Sequence, residues 1–303
     1  ADTVNHAKDG AEAIEVDYGV LPSNANTRAA ALPDAPRLWD EARSNVCVDA
    51  DVGNKLATEA AFASAAHVAK IDTWVQRVTG VPMEPRAAVG EYDARTQRYT
   101  LHAGSGGSVR LKKDLAIILD VPEARVRVLM DDVGGNFGTR GMIYPEFALL
   151  PWAARKTGRP VKWTCERSES FLTDFQGRDL YVTAELAMDR DGNFLAMRGS
   201  NIGNAGGHTG SFTPLQKGVE IMSSIYRMPC ANFRARAVVS NTTPTRPYRS
   251  SGRPEVMFVM ERLIDIACHD FGFDRVALRR RNLLQSDELP YTNPFGMHYD
   301  SGD

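Results

Sequence analysis

The chain has 303 residues, 43% of them hydrophobic and 24% charged, with a formal net charge of −2. That length suits about two domains and a substantial core, and without a basic tract a nucleic-acid partner is a poor fit. No apolar run approaches the ~20 residues that span a bilayer, and the N-terminal Ala-Asp-Thr-Val-Asn-His has no signal-peptide character, so a cytoplasmic location is expected.

In chain order, residues 11–18 alternate like a half-buried strand. Nothing before them is long enough to pair with it, so they read as the tail of a domain that begins upstream, and the periplasm stays open as an alternative location. Residues 21–54, rich in Pro, Ala, Asn and Asp, read as an extended connector. A helix is expected over 55–69 and a strand over 73–81, followed by a kinked turn at Pro82-Met83-Glu84-Pro85-Arg86. Residues 87–92 and 98–103 form a strand pair. The glycine turn Gly104-Ser105-Gly106-Gly107-Ser108 then enters a helix over 109–119.

A buried strand over 124–130 leads to Asp131-Asp132-Val133-Gly134-Gly135-Asn136-Phe137-Gly138-Thr139-Arg140, and an apolar helix over 143–156 ends at Gly158-Arg159-Pro160. Glycines between a strand and a helix let main-chain N–H groups approach an anionic group; the alternative is a tight turn without a ligand. The two glycine turns, each before a helix, are placed to face one ligand. Residues 161–165 form a short strand. Residues 179–188 and 194–200 form a hairpin around Asp189-Arg190-Asp191-Gly192, and the second strand ends in a third glycine cluster, 203–208, whose His208 reads as an ordinary polar residue. A strand over 234–239 enters the arginine-bearing loop 241–255, and helices follow over 256–271 and 274–282. Arg279-Arg280-Arg281 reads as a solvated or phosphate-facing surface. The chain stops at Tyr299-Asp300-Ser301-Gly302 with no terminating element. The fold class is α+β, with mixed sheets and flanking helices. Cys47, Cys165, Cys230 and Cys268 are far apart, which argues against a metal site or disulfide framework within the chain and for mostly buried thiols.

Six of these segments, Pro82-Met83-Glu84-Pro85-Arg86, Asp132-Val133-Gly134-Gly135-Asn136-Phe137-Gly138, Tyr144-Pro145-Glu146, Gly158-Arg159-Pro160-Val161-Lys162-Trp163, Tyr248-Arg249-Ser250-Ser251-Gly252-Arg253 and Tyr299-Asp300-Ser301-Gly302, occur in an order that resembles the large, molybdenum-binding subunit of the xanthine dehydrogenase, aldehyde oxidase and carbon monoxide dehydrogenase family. The resemblance covers nearly the whole chain. It implies the trailing part of a hammerhead domain and connector over 1–48 and the first molybdenum-cofactor-binding domain over 49–303. The implied function is a molybdenum hydroxylase. It would hydroxylate an aldehyde or N-heterocycle with oxygen from water at a molybdopterin centre, a cytosine dinucleotide in bacterial members. Electrons would pass to 2Fe–2S clusters and FAD on partner subunits or domains. The metal is held by the pterin, so the implied protein metal ligands are none.

Carried over by position, Gly106, Gly107, Gly134, Gly135, Asn136, Phe137, Gly138 and Arg140 would bind the cofactor. Phe137 and Arg249 would serve catalysis, and Tyr248 and Ser250 would line the substrate pocket. Three departures stand out. Gly106 occupies a place where many members carry a glutamine that hydrogen-bonds a molybdenum oxygen. Ser250 replaces the copper-binding cysteine of carbon monoxide dehydrogenase, and a hydroxyl suits soft Cu(I) poorly. Gly141 stands where xanthine dehydrogenases place a purine-contacting glutamate. The chain also lacks the Gly-Val-Gly-Glu segment that bears the family's glutamate base, so it reads as one piece of a larger subunit whose C-terminal half is a required partner. The rival reading is a non-catalytic cofactor-binding or assembly domain, inactive without that half.

Overall fold

The computed structural model describes residues 1–302. Its helices are α1 (Val4–Glu12), α2 (Thr27–Ala30), α3 (Lys55–Ser64), α4 (Ser108–Ile118), α5 (Pro145–Thr157), α6 (Arg167–Thr173), α7 (Thr213–Glu220), α8 (Arg253–Phe271) and α9 (Arg275–Asn282). The strands are β1 (Val46–Gly53), β2 (His67–Val75), β3 (Val78–Thr79), β4 (Ala87–Asp93), β5 (Arg98–Ala103), β6 (Val126–Leu129), β7 (Val161–Thr164), β8 (Gln176–Gly177), β9 (Leu180–Met188), β10 (Phe194–Gly206), β11 (Cys230–Val239), β12 (Tyr291–Thr292) and β13 (His298–Tyr299). They form a five-stranded sheet in the order β1-β11-β10-β9-β2, a four-stranded sheet in the order β6-β5-β4-β7, and the two-stranded ribbons β3-β8 and β12-β13. This is the mixed α+β architecture expected from the sequence.

The larger core lies between the five-stranded sheet and α8. Val256, Val259, Met260, Leu263, Ile264 and Ala267 recur at helical spacing along α8 and are fully buried against Val182, Leu186, Met197 and Phe233. The β9–β10 hairpin forms as expected, with Asp189 Oδ1 accepting the N–H groups of Asp191 (2.9 Å) and Asn193 (2.8 Å). Strand β10 continues through the third glycine cluster to Gly206 and pairs in parallel with β11, the crossover carrying α7. The second core gathers Leu101, Leu111, Leu115, Tyr144, Phe147 and Phe175 between the four-stranded sheet and helices α4 and α5. Gly90 of β4 has no side chain because the Leu150–Pro151 backbone of α5 lies where a Cβ would be.

Several expectations are corrected. Residues 11–18 form no strand: α1 runs to Glu12, and the following residues are exposed with no strand beside them. The expected connector contains α2 and β1, and β1 completes one edge of the five-stranded sheet by pairing antiparallel with β11. Helix α3 stops at Ser64, because Ala66 N–H donates to Met188 O (2.9 Å) and the chain enters β2 there. The expected strand over 73–81 is the end of β2 plus the short β3. Arg279 is no open phosphate site, since its guanidinium pairs with Glu261 (2.8 Å) and Asp265 (3.0 Å). The C-terminal segment closes in the β12–β13 ribbon. Of the cysteines, Cys165 and Cys268 are buried, Cys230 is half-buried and Cys47 is exposed.

Candidate functional site

The turn after β6 is latched from outside. Gly134 N–H donates to Glu84 Oε2 (2.7 Å) and Gly134 O accepts Glu84 N–H (3.2 Å), so the two-proline segment clamps the glycine turn. A Cβ on Gly134 would run into the Glu84 side chain, and one on Gly138 into Pro247 O. These glycines are demanded by contact as well as by conformation: Gly138 has φ +94°. Helix α5 begins only at Pro145, so the glycine amides are not its N-terminus, which corrects the simplest strand-to-helix picture.

The amides divide into two sets. Those of Gly134 and Gly138 are occupied, the latter by Asn136 Oδ1 at 2.6 Å. Those of Gly135, Asn136 and Phe137 donate to no group among the described residues. Consecutive unpaired N–H groups in a turn with positive φ at Gly135 and Phe137 form a concavity suited to an anionic or oxo ligand.

Asn136 links the two glycine turns. Its Nδ2 is buried without a hydrogen-bond partner, 2.6 Å from where a Cβ on Gly106 would lie, and Gly106 N–H donates to Arg140 O (3.1 Å). A side chain at position 106 would therefore have to displace the Asn136 amide. Gly107 is exposed with nothing beside it. Arg140 is almost wholly buried beneath the turn, its guanidinium donating to Glu84 O and lying 3.9 Å from Asp174 and 4.0 Å from Glu84. Burial pulls its pKa down against those two carboxylates. Arg140 thus supports the turn from behind.

The arginine loop meets the turn. Arg249 N–H donates to Phe137 O (3.0 Å), and the Arg249 Cζ stands 5.3 Å from the centre of the half-exposed Phe137 ring. Arg249, Ser250 and Ser251 all have positive φ, an arrangement that neighbours must hold. The holder is Arg178, which the sequence reading missed. Its guanidinium donates to Tyr248 O (3.0 Å), Arg249 O (2.9 Å) and Glu255 Oε2 (3.0 Å) and lies 5.1 Å from the Tyr248 ring. Glu84 was also missed as a site residue. Its place between two prolines was the available signal.

Behind both segments, Arg86 is fully buried, paired with Asp174 and with Glu146 (2.9 Å), its Cζ 4.1 Å from the Tyr144 ring. Tyr144 Oη donates to Thr139 O (3.0 Å) and accepts Phe175 N–H (2.9 Å), which ties the turn to the second core. Burial raises the Tyr144 phenol far above its ordinary range, so it stays a neutral donor. No group of three or more His, Cys, Asp or Glu side chains among the described residues is arranged to hold a metal ion. No helix among them is long and apolar enough to cross a membrane.

A family model described as a molybdopterin cofactor-binding domain matches residues 38–283. The chain is similar to the 6-hydroxypseudooxynicotine dehydrogenase complex subunit gamma of Paenarthrobacter nicotinovorans, 33% identical over 98% of this chain and 38% of that protein. It is likewise similar to the carbon monoxide dehydrogenase large chain of Hydrogenophaga pseudoflava, 30% identical over 98% of this chain and 39% of the other. Among solved structures, quinoline 2-oxidoreductase from Pseudomonas putida 86 superposes with a TM-score of 0.93 at 30% identity, covering 100% of this chain and 39% of that one. The chain therefore spans well under half the length of these relatives.

Proposed function

The chain belongs to the molybdopterin cofactor-binding domain family of the molybdenum hydroxylases, and from that premise we propose that it forms the first cofactor-binding domain of a hydroxylase acting on an N-heterocycle or an aldehyde. The observation that carries the reading is the set of unpaired amides at Gly135, Asn136 and Phe137, with the orphaned Asn136 Nδ2 beside them. A molybdopterin offers oxo and thiolate acceptors, so these donors fit it. When bound, the group supplies two-electron oxidation with water as the source of oxygen.

The work of this chain's residues is to bind and orient. The Gly135–Phe137 amides would hold the metal end of the cofactor, and fixed dipoles of this kind stabilise developing negative charge without reorganising. Asn136 would donate where Gly106 has no side chain to do so. Phe137 would wall the pocket, and the unpaired Arg249 guanidinium would bind a substrate oxygen or ring nitrogen bearing charge. Tyr248 and Ser250 would border that pocket. Quinoline and nicotine, named in relatives of this chain, are N-heterocycles, which supports that substrate class; an aldehyde oxidoreductase among the solved relatives supports the other. The reading includes a cytosine dinucleotide form of the cofactor, and 2Fe–2S and FAD partners in a multi-subunit complex.

The test is molybdenum and pterin analysis of the complete complex, with dye reduction screened against quinoline-type heterocycles and aldehydes. Stoichiometric molybdenum and turnover of either class are expected. A complex that carries no pterin nucleotide would sink the proposal.

A further inference from the structure

A cavity of about 570 Å³ opens beside the N-terminus of α5, walled by Ile118, Ile143, Leu172, Phe175 and Pro244. None of the glycine-turn residues or Tyr248–Ser251 lines it. Into it projects Arg246, only 5% exposed, with Nε and Nη1 buried and without hydrogen-bond partners. No carboxylate among the described residues pairs with it. Glu146 also lines the cavity: Arg86 engages its Oε1 at 2.9 Å while its Oε2 has no hydrogen-bond partner, and Asp174 is paired with Arg86 through Oδ1. Arg86 and His208 line the cavity too, and Arg110 is a further charged neighbour, whose field opposes that of Arg246.

The backbone that carries Arg246 is fixed, and an aromatic ring faces its guanidinium. Arg246 N–H donates to Gln176 O (2.8 Å), Thr245 Oγ1 donates to Asn204 O, and the Phe175 ring lies 4.7 Å from Arg246 Cζ. Gly210 borders the guanidinium, and a side chain there would push Arg246 from its place. An unpaired buried charge is costly to keep, and a planar fork with free N–H groups matches a carboxylate in two-point fashion. The cavity volume is within the range of small-molecule sites, and its walls are mainly apolar.

We propose that this cavity binds an organic carboxylate, its anionic group on Arg246 and its apolar body against Phe175, Ile143 and Ile118. Benzoate is the probe, titrated calorimetrically into the full-length subunit in its complex. Saturable binding of one equivalent per subunit is expected, weakened at least tenfold by Arg246→Gln and unchanged by Arg249→Gln at the glycine turn. Gly210→Ala should weaken it too, and serves as the second variant if Arg246→Gln folds poorly. Acetate, which has no apolar body, should bind more weakly than benzoate. The proposal is overturned by absence of saturable binding, by equal binding in Arg246→Gln, by loss in Arg249→Gln instead, or by a carboxylate side chain from the rest of the subunit occupying the cavity.

Discussion

Glu84 and Arg86 stand two residues apart and serve opposite sides of one turn. Glu84 reaches forward to the Gly134 amide, at a side chain still 36% exposed, so solvent screens the bond and its loss should cost about 1 kcal/mol. Glu84→Ala should therefore fold almost normally but release cofactor faster, read as molybdenum retained after dialysis; unchanged retention would show that the latch does not matter. Arg86 reaches back into a place with no solvent. Asp174→Ala leaves its fully buried guanidinium with Glu146 as its one carboxylate, beside the Thr173 hydroxyl, at a cost of about 3–5 kcal/mol. The double variant Arg86→Met, Asp174→Leu removes both charges and should cost less than Asp174→Ala by itself. Urea denaturation midpoints decide the matter, and an Asp174→Ala protein as stable as the wild type would refute the buried-network account.

At the scale of elements, the N-terminus of α8 carries the strained arginine loop, and the pair Arg178–Glu255 joins them. Burial raises the Glu255 carboxyl above its usual 4.5, with Arg178 pulling the other way. The folded state then holds that proton more tightly than the unfolded chain. The stabilising contribution is complete below pH 4.5 and declines as pH rises through the raised folded value. Glu255→Gln should remove this part of the pH slope while Arg178 keeps its bonds to Tyr248 O and Arg249 O; denaturation midpoints compared across pH 4–8 for the two proteins check it, and identical slopes would contradict it. What was legible in the sequence at this scale was local. The β9–β10 hairpin and α8 are written in alternation and helical periodicity, and the glycines announce turns. Their partners are not written nearby: Glu84 is 50 residues from Gly134, and Arg178 is 70 from Tyr248. Strand β1 was missed although Val48-Asp49-Ala50-Asp51-Val52 alternates apolar and polar residues, because it ends a Pro-, Asn- and Asp-rich stretch and the strand it pairs with lies far along the chain. Ala65, Ala66 and Ala69 are strong helix formers, but His67 to Ala69 pair with β9 instead.

Across the whole molecule, the N-terminal segment splits into a part that packs and a part that does not. Residues 1–20 are exposed, and their side chains are tied to the body by the exposed pair Lys8–Glu166. From Asn24 onward the chain is bound in. Asn24 and Asn241 exchange hydrogen bonds of 2.8 Å, and Thr27 donates to Asp179 (3.0 Å), the buried carboxylate that also accepts from Trp74, Arg77 and Asn204. That hub sits next to Arg178, so the N-terminal segment reinforces the turn that holds the arginine loop. Strand β1 then covers the edge of β11 and packs Val48 and Val52 on the larger core. Removal of residues 1–20 should change stability by no more than about 0.5 kcal/mol. Removal of residues 1–53 takes away the Thr27 bond, the burial of Ala30 and the β1 edge, and should cost about 3 kcal/mol or more. It should also promote association through the uncovered β11 edge. Urea denaturation with light scattering on both truncations tests this, and equal stability and equal monodispersity of the two would show that β1 is a passive cover.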